Sequence, residues 1–232
     1  MGRFLFLYIF CICTLSAETH FILMGAPGAG KGTLTRYLKE HDSFEHLCVG
    51  DLLRDEMARD TDYGRTFNQY VRSGELVPTE LFFQFFENKV STSLANGKQL
   101  IIDGIIQSQE NIDFIDDLLR RYEIVDSTFF IYLNVDRDTA FERLVGRRIC
   151  EECHLSYPLN CAEEFCASCN SRLVKRLDDT NETIMRRINR FYGSTIKLLP
   201  QFFSRQKFIE IDGTLDLNTL LFSYSQILQE IS

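Results

Sequence analysis

Two groups of residues in this chain have the types and spacing to do chemistry. Four cysteines are set as Cys150-x2-Cys153 and Cys166-x2-Cys169, with 12 residues between the pairs. Two such knuckles bring four thiolates to a tetrahedron, the arrangement zinc prefers, and a closed set of four cysteines is structural and not catalytic. CxxC pairs read as structural zinc in preference to two disulfides, although another thiophilic metal suits the same donors. Metal binding would supply folding energy that so short a segment cannot draw from a core of its own. Cys161 and His154 are spare candidates, His154 as a bystander. Cys11, Cys13 and Cys48 read as ordinary small apolar residues.

The second group is Gly25-Ala26-Pro27-Gly28-Ala29-Gly30-Lys31-Gly32-Thr33. Glycines at this density let consecutive backbone N–H groups point into one concavity, where they bind phosphate oxygens. A helix starting there adds its positive end. Lys31 would reach the outer phosphates and Thr33 the metal-phosphate end. A glycine turn with a chance lysine is the bland alternative, but strand, loop and helix occur here in the order a phosphate site needs. The departure from the general pattern is Gly32, where Ser or Thr usually follows the lysine directly.

Charge points the same way. The 232 residues hold 25 Lys+Arg and 33 Asp+Glu, a formal charge of -8. Residues 143–190 hold 9 basic and 7 acidic residues. An acidic protein with a mildly basic segment suggests a local anion site, against the competing reading of a solvated helix face. The overall balance argues against general nucleic-acid binding. Apolar residues at 45% allow a real core. The length suits one α/β domain with a small appendage.

These groups need elements to hold them. Strand candidates are His20 to Met24, Glu45 to Val49, Gln99 to Asp103, Thr128 to Val135 and Lys207 to Ile211. A helix is expected from about Thr180 to Leu199, opened by a capping-box-like Asp179 and Glu182 and followed by Pro200. Leu217, Leu220, Leu221, Tyr224, Ile227, Leu228 and Ile231 follow helical spacing to the end. Strands alternating with helices imply a mostly parallel sheet covered on both faces. Residues 1–19 open with Arg3 and an apolar run, Phe4 to Ile12, like a secretory leader. Leu15 at the -3 position suits cleavage poorly, so a start of translation near Leu15 is the alternative. No apolar run reaches the roughly 20 residues that span a bilayer.

From residue 20 onward the chain resembles the adenylate kinase family of nucleoside monophosphate kinases. The motifs that carry this are Gly25 to Thr33, Val49-Gly50-Asp51-Leu52-Leu53-Arg54, Gly74-Glu75-Leu76-Val77-Pro78, Ile102-Asp103-Gly104, Val145-Gly146-Arg147-Arg148, Arg176-Leu177-Asp178-Asp179 and Asp212-Gly213-Thr214. The resemblance implies a P-loop NTPase-like parallel sheet with helices on both faces. It implies a core of residues 20–48, 79–145 and 180–232, a helical monophosphate-binding insert at 49–78, and a zinc lid at 146–179.

The same resemblance implies reversible phosphoryl transfer, ATP + AMP = 2 ADP, with Mg2+ accompanying ATP and Zn2+ in the lid. ATP would meet Gly28, Ala29, Gly30, Lys31, Gly32, Thr33, Arg143, Arg147, Ser156, Tyr157 and Leu215. AMP would meet Arg54, Glu75, Leu76, Val77, Gly104, Gln107, Asn111, Arg176 and Arg187. Arg143 would lie over the ATP adenine, Lys31 would reach the outer phosphates as a catalytic residue, and Arg147, Arg176 and Arg187 would surround the transferring phosphate. Asp103 would orient water on magnesium, and Asp178 and Asp179 would help the lid close. The implied protein is a cytoplasmic monomer that binds small nucleotides, with neither a nucleic-acid partner nor a stable membrane anchor.

The chain departs from the family around the monophosphate. After Asp103-Gly104 the family has Phe-Pro-Arg-Thr and then an adenine-reading Gln; this chain has Ile105-Ile106-Gln107-Ser108 and Asn111, with Gln109 nearby. Val49 replaces a Thr that touches the base. Losing a bidentate arginine clamp costs on the order of 2–4 kcal/mol in phosphate binding. Three readings follow: an adenylate kinase with a weak AMP site, a kinase for another monophosphate, or an ATP-binding paralogue acting as sensor or partner. An exported zinc-ribbon or redox protein is a fourth, resting on the leader and the cysteines alone.

Overall fold

The computed structural model describes residues 19–41, 43–73, 77–153, 155–157, 161, 163–176, 179–205 and 207–231. Apart from Thr19, the leader-like segment lies outside them, as do His154, Glu75, Leu76 and Asp178.

The first strand, β1 (His20–Gly25), is buried along almost its whole length. It runs straight into the glycine loop and then helix α1 (Lys31–His41). Strand β2 (Phe44–Cys48) gives way without a gap to α2 (Val49–Met57), followed by α3 (Asp62–Ser73) and α4 (Thr79–Ala95). Then come β3 (Gln99–Asp103), α5 (Gln109–Arg121), β4 (Thr128–Asn134) and α6 (Arg137–Val145). A separate antiparallel sheet holds β5 (Arg148–Cys150), β6 (Ser156–Tyr157) and β7 (Leu173–Lys175). The chain returns through α7 (Asn181–Gly193), a 3-10 turn at Thr195–Leu198, α8 (Pro200–Phe203), β8 (Phe208–Asp212) and α9 (Leu217–Ile231).

The main sheet has the order β2-β3-β1-β4-β8, with every pairing parallel. A parallel sheet is covered by its crossover helices, so central strands read as continuous apolar runs. Phe21, Ile22, Ile101, Ile131 and Leu133 are accordingly buried to within 1%. The edge strands β2 and β8 are less buried, as their single neighbour requires. All five strands point the same way, so their carboxyl ends form one rim. The glycine loop, Val49, Gly104 and Gly213 follow those ends. In an open parallel sheet, ligands bind in the crevice outside the carboxyl ends, where the strand order reverses, here on either side of β1.

Two expected boundaries move for local reasons. The expected helix from Thr180 to Leu199 stops at Gly193, because Ser194 takes φ -127° and ψ -56° and the chain tightens into the 3-10 turn. Its cap is Thr180, whose side chain accepts from the Thr183 backbone N–H at 3.2 Å; Asp179 is not the cap. Asp179 is drawn inward instead, by the arginines described below. Elsewhere the strand ends shift by a residue: Val49 opens a helix, and β4 stops at Asn134.

The small sheet cannot stabilise itself by apolar burial. Among the described residues its buried cluster is Cys150, Tyr157, Cys166 and Leu173, with Leu155 and Cys161 partly buried against it. That is far below what an independent fold needs, and two of the four members are metal-ligand types.

Candidate active site

The glycine loop closes on itself through the Ala29 N–H, which donates to the Ala26 carbonyl at 3.0 Å. Gly28 and Gly30 take φ of +88° and +99°, a region that side chains rarely enter. At Gly28 a Cβ would also sit 2.6 Å from the Ala140 carbonyl oxygen, so the loop lies hard against α6. At the start of α1 the Thr33 and Leu34 N–H groups donate to the Gly30 carbonyl at 2.9 and 3.1 Å, and those of Lys31 and Gly32 come before the helix's own ladder of hydrogen bonds. Lys31 folds back over the loop and donates to the Gly25 and Ala26 carbonyls at 2.9 and 3.1 Å. Its ammonium stands 3.9 Å from Asp103 at the end of β3. Asp103 Oδ1 is buried and accepts no hydrogen bond. An orphaned carboxylate oxygen beside a phosphate loop is the donor chemistry that a hydrated magnesium ion requires.

One continuous cleft of about 2090 Å³ runs from this loop to the small sheet. Arg143, Arg147, Arg176 and Arg187 all line it, as do Ser156, Tyr157, Leu215, Arg54, Gly104 and Gln107. Ala29, expected at ATP, is fully buried with its N–H spent on the Ala26 carbonyl, and it does not line the cleft. Arg143 donates to the Gly213 carbonyl at 2.7 Å, which ties α6 to the turn after β8.

The arginines are held by two aspartates. Asp179 has no exposed side-chain surface and accepts from Arg147 at both oxygens, at 2.9 Å on Oδ1 and 2.6 Å on Oδ2, and from Arg187 at 3.2 Å. Asp51 pairs with Arg54 and lies 3.9 Å from Arg176. Burial opposes ionisation of Asp51, but the Cys48 thiol and Arg54 outweigh it and hold the carboxyl below its usual range. The role of Asp51 as an anchor was hidden in the sequence, because Arg176 meets it only once the chain has folded.

The monophosphate side differs from expectation. Gln107 donates to its own loop's Gly104 carbonyl at 2.7 Å. Asn111, expected at the base, is turned into the cap of α5: its Oδ1 accepts from the Ser108 N–H at 3.1 Å, and the Asn111 N–H donates to Ser108 Oγ. Asn111 does not line the cleft. The reason is local, since a capping box satisfies two donors that a helix start would otherwise leave open. Gln109 is likewise engaged, with Asp113 and Gln201. Val77 is half-buried just before α4 and also stands outside the cleft.

The four lid cysteines converge, with ligand atoms all within 4.8 Å of one another. The Cys150–Cys169 and Cys153–Cys166 sulfur pairs are 3.3 and 3.5 Å apart. A tetrahedron with zinc–sulfur bonds of about 2.3 Å has edges of about 3.8 Å, so the donor set fits zinc. The Tyr157 hydroxyl donates to Cys166 Sγ at 3.2 Å and lowers that thiol to about 6. Cys161 stands apart, paired with Glu163.

Cys48, expected from the sequence to be an ordinary small apolar residue, stands among polar groups. A His46 ring nitrogen, Cys48 Sγ and an Asp103 oxygen lie within 4.8 Å of one another. Burial, with Asp103 and Asp51 alongside, pushes the Cys48 thiol up to about 12. No motif announces this trio, because it is assembled by pairing two strands.

No helix among the described residues is long and apolar enough to cross a membrane. A sequence model described as "Adenylate kinase" matches residues 23–207. The chain is similar to an adenylate kinase of Clostridium tetani, 30% identical over 217 residues, 91% of this chain and 99% of the relative. It is similar to one of Moorella thermoacetica, 33% identical over 83% of this chain and 90% of the relative. One of Halobacterium salinarum is 33% identical over 83% and 88%. With the match spanning the phosphate loop, the arginine-lined cleft and the cysteine sheet alike, the chain belongs to the adenylate kinase family and is a nucleoside monophosphate kinase.

Proposed function

We propose that the chain is a cytoplasmic adenylate kinase that interconverts ATP and AMP with two ADP. The observation that carries this reading is the convergence of Lys31, Arg143, Arg147, Arg176 and Arg187 on one cleft with the phosphate loop. An oxygen of the AMP α-phosphate attacks the γ-phosphorus of ATP, and the bond from that phosphorus to the β-γ bridging oxygen breaks. The transition state is loose and spreads negative charge over the moving phosphoryl group, so the protein's work is to position and to neutralise. Arginine suits that work, being permanently charged and forked.

In this reading the loop N–H groups and Lys31 hold the β- and γ-phosphates of ATP. Arg143 covers the adenine beside Leu215 and the Gly213 turn. Arg147 and Arg187, steadied by Asp179, and Arg176, beside Asp51, surround the phosphoryl group. Thr33 and Asp103 would hold hydrated magnesium, which supplies charge neutralisation at the β- and γ-oxygens. Closure of the small sheet over the cleft would exclude water and so prevent hydrolysis. The four cysteines would hold zinc as a structural brace.

A second reading, a kinase for another monophosphate, is favoured by the turned-back Gln107 and the capped Asn111. An assay of ADP formation with ATP and each nucleoside monophosphate in turn separates the two. Highest kcat/KM with AMP supports the first reading, and a clear preference for another base overturns it in favour of the second. No turnover with any monophosphate, despite ATP binding, overturns both.

A further inference from the structure

We infer that His46, Cys48 and Asp103 form a second metal site, for a zinc-class divalent cation, on the floor of the cleft and distinct from the lid cysteines. The placement follows from strand register. Cys48 pairs directly with Asp103 across β2 and β3, and His46 pairs with Ile101. Side chains two apart on a strand share a face, so His46 and Cys48 point together toward the face and end where Asp103 stands. A ring nitrogen, a thiol sulfur and a carboxylate oxygen are thereby brought within 4.8 Å of one another. Bonds of about 2.0–2.3 Å to a tetrahedral ion put ligand atoms about 3.3–3.8 Å apart, a contraction that side-chain rotation supplies.

Two further observations point to a ligand. His46 Nε2 and Asp103 Oδ1 are both buried without a hydrogen-bond partner. Two orphaned polar atoms in one small cluster are uncommon in a folded protein, and an ion satisfies such atoms. Asp51 adds a second carboxylate next to Cys48, although Arg54 pairs with it. The opposing cations are Lys31, whose ammonium is committed to two loop carbonyls and stands 3.9 Å from Asp103, Lys39 near His46, and Arg54, which is paired with Asp51. The cleft lining includes His46, Cys48 and Asp103, so an ion can reach them.

The donor set selects the metal. Thiolate with imidazole suits zinc, whereas magnesium and calcium take oxygen donors. On binding, the Cys48 thiol loses its proton to solvent and the sulfur bonds the ion. Three protein ligands leave a fourth position for water, unlike the closed set of the lid. The ion would also occupy the carboxylate that the proposed mechanism gives to hydrated magnesium. That consequence rests on the functional reading; the binding itself does not.

The test uses the full chain with its lid loaded, equilibrated with micromolar free zinc and no nucleotide. Two equivalents are expected in the wild type and one in both Cys48→Ser and His46→Gln, a weakening of about 100-fold at the second site. Hydrogen-exchange protection retained along β2 and β3 shows that each variant's core is folded. One equivalent in the wild type, or two in both variants, overturns the site. X-ray absorption at the zinc edge needs no variant. The mean zinc environment should change from sulfur alone to sulfur with nitrogen and oxygen as the second equivalent enters, and an unchanged all-sulfur environment overturns the assignment. Loading the second equivalent should slow magnesium-dependent phosphoryl transfer about tenfold. An undiminished rate overturns the inhibitory consequence, and a chain with no transferase activity at all sinks the functional reading while leaving the zinc count to stand.

Discussion

Arg147 grips both carboxylate oxygens of Asp179, at 2.6 and 2.9 Å, while the aspartate exposes none of its side chain and the arginine about a sixth of its own. The burial is unequal, so the two halves of the pair should not be equally dispensable. Removing the arginine strands a buried carboxylate on Arg187 alone, and breaking a buried pair in that way costs about 3–5 kcal/mol. Asp179→Asn keeps a hydrogen-bonding side chain and leaves two cations that can rehydrate. Arg147→Gln is therefore expected to lower stability more than Asp179→Asn, read as the difference in urea midpoint at equal slope. The reverse order would show that the arginines, and not the aspartate, bear the desolvation penalty.

The side chain of Gln107 turns onto Gly104 O at 2.7 Å, leaving an amide where the family has a phosphate clamp. A guanidinium there adds a forked, permanently charged contact to the monophosphate. Gln107→Arg is expected to lower the apparent KM for AMP by about 30-fold or more, the kinetic equivalent of about 2 kcal/mol, with the KM for ATP nearly unchanged. Initial-rate measurements with each nucleotide varied in turn read this directly. An equal shift in both constants would place residue 107 outside the AMP subsite.

How much of this was legible in the sequence depended on how local each feature is. The phosphate loop and the cysteine knuckles are written in a few adjacent residues, and the central strands announce themselves because a parallel sheet buries both faces. Asp179 read as a helix cap because its spacing to Glu182 imitates one. Its real partners are Arg147, 32 residues earlier, and Arg187, eight residues on within α7. The partnership of Cys48 with Asp103 depends on the register of β2 against β3, to which no local pattern points. Asn111 went astray in the opposite direction: a local capping box took a side chain that the family resemblance assigns to the base.

Among the described residues the small sheet buries Cys150, Tyr157, Cys166 and Leu173, with Leu155 and Cys161 partly buried against them, so its fold should depend on the metal. Stripping zinc with a chelator under reducing conditions is expected to abolish hydrogen-exchange protection along β5, β6 and β7 while the five-stranded sheet stays protected. Cys153→Ser should do the same in the presence of zinc. Protection of the small sheet that survives complete metal removal would mean that apolar contacts and the Tyr157 hydrogen bonds suffice to hold it.

His20 supplies a pH dependence that can be worked out in sign. It is 5% exposed at the start of β1, its Nδ1 accepts from the Leu100 N–H at 3.1 Å, and burial lowers it from the usual 6.5 to about 4. Above pH 6.5 the ring is neutral in both folded and unfolded chains, so its contribution to stability is complete. Between 6.5 and 4 the unfolded chain takes up a proton that the folded chain refuses, and stability falls with falling pH, by at most about 3 kcal/mol. Below 4 both states are protonated and the loss stops growing. Asn at this position offers an amide oxygen to the same N–H but cannot titrate. The stability advantage of wild type over His20→Asn at pH 7 should therefore shrink as the pH is lowered to 4.5, as measured by urea unfolding at both values. Parallel losses in the two proteins would mean that the carboxylates, and not the buried imidazole, govern the acid sensitivity of the sheet.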